Sequence, residues 1–349
     1  MARILYGVHG TGHGHAMRAL TVARSLPEHE FFFISHDSGA ALLGREFPVE
    51  TLPDPVTVVR CHGVDLWATL RANLGVWQQS WQVRRRLREI IDHFRPQAIL
   101  SDYTFFLPRL ARRFGLPTLS LDHQHIVTCC RHPVPMTKRP DYVALRAVVR
   151  LLYSRAENYL VTSFFRPPLR KGLRRVRLMP PLLRESVLRL KPRDGEHVVA
   201  YQGYQTFPGF FSFLQGIPRP VFVYGFGAQP AQGNLFFKET SEEGFLEDLA
   251  SCCYVVCGGS HSLISEALFL GKPVLAFPIR NAFEQFLNAF YLERLGYGLY
   301  HADHRPGSEL LRRFESRLED FRAQVAAGRF LGNPEIFSLL KAFIRRGTL

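Results

Sequence analysis

Two glycine-punctuated stretches of the sequence place reactive side chains beside backbone amides. The first, Gly10-Thr11-Gly12-His13-Gly14-His15, follows an apolar run at Ile4–Val8. It precedes Ala16, Ala19, Leu20, Ala23 and Leu26, which recur at helical spacing. Glycines at such a turn let the backbone approach a ligand, and the N-terminus of the following helix favours negative charge. His15 stands where the helix begins, and the positive helix end favours its neutral, proton-accepting form. It is therefore the candidate general base, with His13, two residues earlier on the same loop, as its rival. Asp102 ends the strand-like run Ala98–Asp102 and is the carboxylate that could orient His15; helix capping would explain it equally well.

The second stretch runs Tyr254-Val255-Val256-Cys257-Gly258-Gly259-Ser260-His261-Ser262-Leu263-Ile264-Ser265-Glu266. A buried strand ends in two glycines, Ser260 caps a helix, and the first free amides form a cradle suited to a diphosphate. Glu266 shares a face with Ser262 one turn away, where a carboxylate can accept hydrogen bonds from two ribose hydroxyls. Gly271-Lys272-Pro273 stops this helix, and Arg280-Asn281-Ala282-Phe283-Glu284-Gln285-Phe286-Leu287-Asn288 enters the next. Gln285 and Asn288 share a face and can reach sugar hydroxyls; a solvated helix face would account for Glu284, Gln285 and Asn288 too.

Other chemistries fit less well. A Gly-x-Gly-x-x-Gly dinucleotide fingerprint fails at its third glycine, meeting His15 or Met17, although Asp37 partly suits that reading. His9, His13 and His15 could suggest a metal, but no carboxylate lies at a ligand-like spacing among them, and no metal or cofactor is expected. The six cysteines, Cys61, Cys129, Cys130, Cys252, Cys253 and Cys257, form no Cys-x-x-Cys motif and imply a reducing, cytoplasmic setting, with the last three as small core residues.

The elements that must position these residues follow from the pattern of the chain. At 349 residues it is too long for one ordinary core. Strand-like and helical runs alternate through the first half, with strands at Ile4–Val8, Phe31–Ile34, Ala98–Asp102 and Thr118–Leu121 and a basic helix near Ser80–Phe94. The alternation restarts after Met179-Pro180-Pro181, with strands at His197–Tyr201, Val221–Tyr224, Tyr254–Cys257 and Val274–Phe277. This order predicts an α/β protein of two Rossmann-like domains facing across a cleft. The expected division is 1–180, 181–333 and a terminal helix over 334–349 that packs back on the first domain.

The net charge of +14 is concentrated. Residues 1–130 carry +3, residues 131–193 carry +13 and residues 194–349 carry −2. Nucleic-acid binding is not expected from so local an excess, whereas an anionic partner is. Tyr142–Glu157 reads as a helix with Val143, Ala147 and Leu151 on one side and Arg146 and Arg150 on another. Arg18, Arg146 and Arg150 are therefore candidates to meet an anionic acceptor or membrane surface, unless the apolar side is ordinary core. No signal peptide is visible, and no apolar run is long enough to span a bilayer.

Taken together, Gly258-Gly259-Ser260, Glu266, Gly271-Lys272-Pro273, Pro278, Gln285 and Asn288 match in order and spacing a series found in the GT-B glycosyltransferases. The chain most resembles the group of the peptidoglycan lipid-linked N-acetylglucosaminyltransferase and the diacylglycerol glucosyltransferases. Gly10-Thr11-Gly12, Gly14-His15 and Arg18 match the glycine-rich loop of that group, with His13 in place of one glycine. The resemblance implies an inverting, metal-independent transfer from a nucleotide sugar, UDP-linked by expectation, to a hydroxyl acceptor, lipid-linked or of the cell envelope. It implies Gly258, Gly259 and Ser260 at the diphosphate, with His261 in the same nucleotide-sugar site, Glu266 on the ribose, and Gln285 with Glu284 on the sugar. Glu284 stands where aspartate is usual. Phe245 and Leu246 match the segment whose backbone meets uracil, and Gly12 and Gly14 belong to the nucleotide-sugar site. A nucleotide-sugar 2-epimerase of the same fold, or a nucleotide-sugar-binding protein without activity, are the alternatives.

Overall fold

The computed structural model describes residues 1–60, 63–202, 207, 209–239, 241–302 and 306–349; Cys61 and part of the 203–219 loop lie outside them. The chain divides into two compact units. The first comprises Met1–Val58, Asp65–Arg184 and Gly332–Leu349, and the second Val59–Val64 and Glu185–Leu331.

In chain order the first unit holds β1 (Arg3–Val8), α1 (His13–Arg24), β2 (Glu30–Ser35), α2 (Asp37–Leu43) and β3 (Val49–Thr51). A small hairpin, β4 (Val59–Arg60) and β5 (Gly63–Val64), belongs to the second unit, where the Arg280 carbonyl accepts from the Val64 amide. The first unit resumes with α3 (Leu66–Gln78), α4 (Ser80–Phe94), β6 (Ala98–Asp102), α5 (Phe106–Arg113) and β7 (Thr118–Asp122). It continues through α6 (Ile126–Cys129), α7 (Arg139–Val148), β8 (Asn158–Thr162) and β9 (Val176–Met179). Its seven strands form one parallel sheet in the order β3-β2-β1-β6-β7-β8-β9.

The second unit runs α8 (Glu185–Leu188), β10 (Val198–Tyr201), α9 (Phe210–Gln215), β11 (Val221–Tyr224), β12 (Leu235–Phe237), α10 (Glu242–Ser251) and β13 (Tyr254–Cys257). Then come α11 (His261–Phe269), β14 (Val274–Ala276), α12 (Phe283–Arg294), β15 (Gly298–Tyr300), α13 (Ser308–Glu315) and α14 (Leu318–Ala326). Its parallel sheet has the order β12-β11-β10-β13-β14-β15. The last helix, α15 (Asn333–Arg346), returns to the first unit.

Both sheets arise from the same sequence property. Strands buried on both faces read as continuous apolar runs, as in Ile4-Leu5-Tyr6 and Val198-Val199-Ala200, all of them buried. Each sheet reverses its winding beside its first strand, between β1 and β6 in one and between β10 and β13 in the other. At such a switch point the connecting loops part at the carboxyl ends of the strands and leave room for a ligand. The five described cysteines are all free and buried.

The basic stretch folds differently from its expected single helix. α7 ends at Val148 and a π-helical turn occupies Val149–Tyr153. α7 buries none of its residues, and Val143 and Leu151 are 63% and 61% exposed, so this apolar side is not core. Among the described residues no helix is long and apolar enough to cross a membrane.

α15 places Ile336, Leu340 and Phe343 in the core of the first unit with Ile4, Leu20 and Phe33. Its first residue fixes the approach: the buried Asn333 carboxamide accepts from the Leu183 amide at 2.9 Å and donates to the Leu183 carbonyl at 2.7 Å. Asn333→Ala leaves both backbone groups without partners and is expected to cost about 1–3 kcal/mol, read from the midpoint of urea denaturation at an unchanged slope. An unchanged midpoint would mean that water replaces the amide.

Candidate active site

Register puts Asp102 at the site. β1 and β6 pair with Val8 opposite Asp102, and the Asp102 carbonyl accepts from the His9 amide at 3.0 Å. The carboxylate thus lies at the switch point, beside the loop that leads into α1. Gly12 precedes α1 with a φ of 79°, a conformation that favours glycine, and a Cβ there would meet nothing within 4 Å. No side chain caps α1 and its first turn holds no acidic residue, so its leading amides are left for a ligand.

The Asp102 side chain is fully buried and takes three charge-assisted bonds. Oδ2 accepts from Arg18 Nε at 2.7 Å, and Oδ1 accepts from Arg18 Nη2 at 3.0 Å and from His15 Nδ1 at 2.7 Å. Because a carboxylate only accepts, Nδ1 of His15 carries the proton. Nε2 is then left as the lone-pair nitrogen, with the Gln124 carboxamide nitrogen 3.4 Å away. The His15 side chain is 14% exposed. Such an imidazole is oriented and held in one tautomer, with its acceptor nitrogen facing the Gln124 carboxamide, an arrangement suited to a general base once a hydroxyl takes the place of that amide. His13, at the first position of α1, is exposed and its side chain makes no hydrogen bond among the described residues.

Arg18 was expected at an acceptor or membrane surface. It is instead buried, one turn below His15 and clamped on Asp102. Burial works against its charge, but the Asp102 carboxylate outweighs that and holds the guanidinium above its ordinary pKa. Pairing across 84 residues leaves no mark in local spacing. Gln124 was also not anticipated; its place just beyond the end of β7, beside the switch point, is the signal that could have found it.

Behind His15 lies a polar interior. His9 sets its ring edge against His15, His36 and Tyr103, at centroid distances of 5.3, 5.1 and 5.8 Å. Burial, then the neighbouring His15 and His36, push its pKa well below the usual range. His9, His36 and Asp54 bring ligand-type atoms within 4.8 Å of one another, so it is this set, rather than His9, His13 and His15, that the fold gathers. His36 is already committed, since Nδ1 pairs with Asp37 at 2.9 Å and Nε2 accepts from the Gly10 amide at 3.0 Å. Asp54 accepts from the Phe105 amide at 3.0 and 3.2 Å. The set is therefore a polar core network around one uncommitted nitrogen, His9 Nδ1, which is buried without a partner. Tyr103, next to Asp102, has a φ of 56° and stacks on Tyr153 at 4.0 Å.

The second unit holds the other glycine loop singled out in the sequence. β13 ends at Cys257, beside the second switch point, and Gly258-Gly259-Ser260 leads into α11. The two glycines differ. A Cβ on Gly259 would lie 2.5 Å from Gln285 Cβ and 2.5 Å from the Gln285 carbonyl, so only glycine allows α12 to pack there. A Cβ on Gly258 would meet nothing closer than 3.6 Å. Ser260 is exposed in the N-cap position, but its hydroxyl makes no capping bond. The first amides of α11 therefore have no side-chain acceptor.

Gln285 and Asn288 hold this loop from α12. Gln285 Oε1 accepts from the Ile279 amide at 3.1 Å and the Gly259 amide at 3.3 Å, and Asn288 Nδ2 donates to the Gly259 carbonyl at 2.9 Å. Asn288, expected to reach sugar hydroxyls, is completely buried. Glu266 is 9% exposed on α11, His261 is buried and stands 3.4 Å from Ser265 Oγ, and Glu284 opens α12 half-buried. Phe245 and Leu246 are buried, with Phe245 against Tyr201 and Tyr224, so only their backbone could serve a ligand. Arg146 is half-buried and Arg150 exposed.

Residues 2–318 match the model of the glycosyl transferase family 1. The chain belongs to this glycosyltransferase family. Two relatives, each described as an uncharacterized glycosyltransferase, come from Methanosarcina acetivorans and Methanosarcina mazei; each is 22% identical over 91% of this chain and 90% of its own length. Among solved structures, the glycotransferase of kitacinnamycin superposes with a TM-score of 0.67 at 17% identity, covering 100% of this chain and 99% of its own. The calicheamicin glycosyltransferase CalG4 gives 0.66 at 17% identity, covering 99% of each chain. MurG of Acinetobacter baumannii gives 0.62 at 13% identity, covering 98% of this chain and 100% of its own. The two parallel sheets are those of the GT-B fold, and the glycosyltransferase has two Rossmann-like units as its sequence implied.

The polar interior of this glycosyltransferase generates a pH prediction. Burial lifts the Asp54 carboxyl to about 7, against the Phe105 and Phe106 amides and the Arg109 charge. A carboxyl with a folded pKa above its unfolded one binds its proton more tightly in the native state. The stability this contributes is present below the unfolded pKa and is lost as pH rises through the folded one. His9, lowered on folding, acts with the opposite sign but is common to the native protein and an Asp54 variant. The stability of the native protein relative to Asp54→Asn is therefore expected to fall between pH ~4 and ~7, by at most about 1.4 kcal/mol per unit. Urea denaturation at successive pH values checks this, and a flat difference would mean that Asp54 is solvated.

Proposed function

We propose that this glycosyltransferase moves a sugar from a UDP-linked donor to a hydroxyl acceptor with inversion and without a metal. The observation that carries the reading is the His15–Asp102 pair, with Nδ1 committed at 2.7 Å and Nε2 left to accept a proton. In the proposed reaction Nε2 takes the acceptor hydroxyl proton as that oxygen forms its bond to the anomeric carbon. The bond from the anomeric carbon to the diphosphate oxygen breaks on the opposite side, and its electron pair leaves with UDP. Asp102 stabilises the imidazolium that forms, and Arg18 holds Asp102 in position. Gly12 and Gly14 leave the first turn of α1 open to the reacting groups.

Donor binding is assigned to the second unit. Amides at Gly258 and the start of α11, with the Ser260 hydroxyl and His261, receive the diphosphate and offset the charge that develops on it, a role a metal would otherwise fill, while Gly259 lets α12 close on the loop. Glu266 accepts from the ribose hydroxyls, the backbone at Phe245 and Leu246 meets the base, and Glu284 and Gln285 face the sugar. Asn288 serves by holding Gly259. The +13 stretch 131–193, with Arg146 and Arg150, is proposed to draw the enzyme to an anionic or lipid-linked acceptor at the cytoplasmic membrane face.

Steady-state transfer with saturating donor tests the base. His15→Ala is expected to lower turnover by about 10²–10⁴-fold with nucleotide affinity nearly intact, and His13→Ala to do much less. A loss of only a few-fold in His15→Ala would remove it from the role. Calorimetry tests the donor site, where Glu266→Ala is expected to weaken UDP-sugar binding by about 1.5–3 kcal/mol. Unchanged affinity would take Glu266 out of the ribose contact.

A further inference from the structure

α3 and the start of α4 have inverted polarity. Their inward face is polar at α3, where buried Asn73 accepts from the Val56 amide at 3.0 Å and donates to the Val56 carbonyl at 2.8 Å, and Thr69 Oγ1 accepts from the Val58 amide at 2.9 Å. Their outward face is apolar. Leu66, Leu70, Leu74, Trp77 and Trp81 recur at spacings of three and four residues and are 74%, 54%, 53%, 37% and 68% exposed, with Trp67 beside them at 82%. Gln79, between the two helices, keeps a right-handed helical backbone, so the stripe crosses the joint. It contains all three tryptophans of the protein.

The same spacing then runs into charge. Arg84 and Arg88 continue the stripe and are exposed, with Arg85 beside them and Arg71 on its flank. The Arg85 guanidinium lies 5.8 Å from the Trp81 ring centroid. Trp77 anchors the stripe by packing edge-on to Phe105 at 4.8 Å.

We propose that the α3–α4 stripe is a membrane-insertion face that enters the headgroup region of an anionic bilayer, its leucines and indoles in the acyl boundary and its arginines on the phosphates. Indoles suit that boundary because one edge is apolar and the other carries an N–H, and an in-plane helix needs this Leu/Trp face with a basic flank. A second copy of the chain fits less well. A self-contact would add a second set of arginines to the same buried face, whereas lipid phosphates neutralise them. The inference deepens the peripheral-membrane part of the proposed function, and it names an inserting element apart from Arg146 and Arg150.

Because every tryptophan lies on the stripe, intrinsic fluorescence reports on it directly. The full chain is mixed with vesicles of brominated phosphatidylcholine, with and without phosphatidylglycerol. The proposal expects a blue shift and quenching that require the anionic lipid and weaken with salt. Trp67→Ser/Leu70→Ser/Trp81→Ser is expected to lower vesicle binding at least about tenfold while UDP-sugar binding by calorimetry is unchanged. Arg84→Glu/Arg88→Glu is expected to remove the preference for phosphatidylglycerol.

Vesicle binding with no quenching, or binding that the triple variant keeps, overturns the proposal. So does binding lost only on Arg146→Glu/Arg150→Glu, which would leave the basic stretch as the sole seat. Self-association in sedimentation velocity that the triple variant abolishes, with no vesicle binding, makes the stripe a contact between copies. Loss of UDP-sugar binding by the unaltered chain would instead count against the donor site and leave the insertion face untouched.

Discussion

The Asp102 carboxylate has no water to solvate it, and the geometry of the first unit's site follows from how its charge is met. A charge buried away from water is costly unless it is paired. Arg18 meets it with a bidentate pair at 2.7 and 3.0 Å, the geometry in which a guanidinium returns the most for a buried charge. Removing either partner of such a pair strands the other, at a cost of about 3–5 kcal/mol. Once Arg18 has taken one edge of the carboxylate, Oδ1 remains for His15, and the tautomer of that imidazole is decided. The orientation of the partly exposed His15 ring is thus set by a buried charge.

The parallel sheets explain why this charge can be buried where it is useful. A strand covered on both faces is apolar until its carboxyl end, where the loops diverge. Asp102 closes β6 at the first switch point, and Gly258 opens the loop after β13 at the second. Each unit then uses its own device to keep the loop in place. In the first, a salt bridge spans from α1 to β6; in the second, Gly259 lets α12 approach within contact, and the carboxamides of Gln285 and Asn288 occupy its amide and carbonyl. Neutral carboxamides hold the loop without adding a charge beside its remaining amides.

What could be read from the sequence follows the range of the interaction. Strand-glycine-helix units are local, so Ile4–Val8 with its histidine loop and Tyr254–Cys257 with Gly258, Gly259 and Ser260 were legible, as was the doubly wound class that places them. Arg18 was misplaced because its partner is 84 residues away and a lone arginine early in a helix reads as surface. Asn288 was read as ligand-facing because helical spacing says which residues share a face and not whether a backbone carbonyl waits beneath it. β8 and β9 were missed in the basic stretch because both are short: β8 is mostly buried, while β9 carries Arg177 and buries only Val176. α3 escaped because a helix normally turns its apolar stripe inward, and here Asn73 is the side that faces the protein.

The tautomer of His15 tests the central claim without reference to any substrate. In water a neutral histidine favours the proton on Nε2, and only a specific acceptor at Nδ1 reverses that preference. Nitrogen-15 NMR of the imidazoles at neutral pH, with His15→Gln to assign the signal, distinguishes the two forms. The buried carboxylate requires a protonated Nδ1 and a bare Nε2 in the native protein, and the ordinary tautomer in Asp102→Asn if that variant folds. A native His15 with its proton on Nε2 would contradict the account, because the nitrogen assigned to take a proton would already hold one.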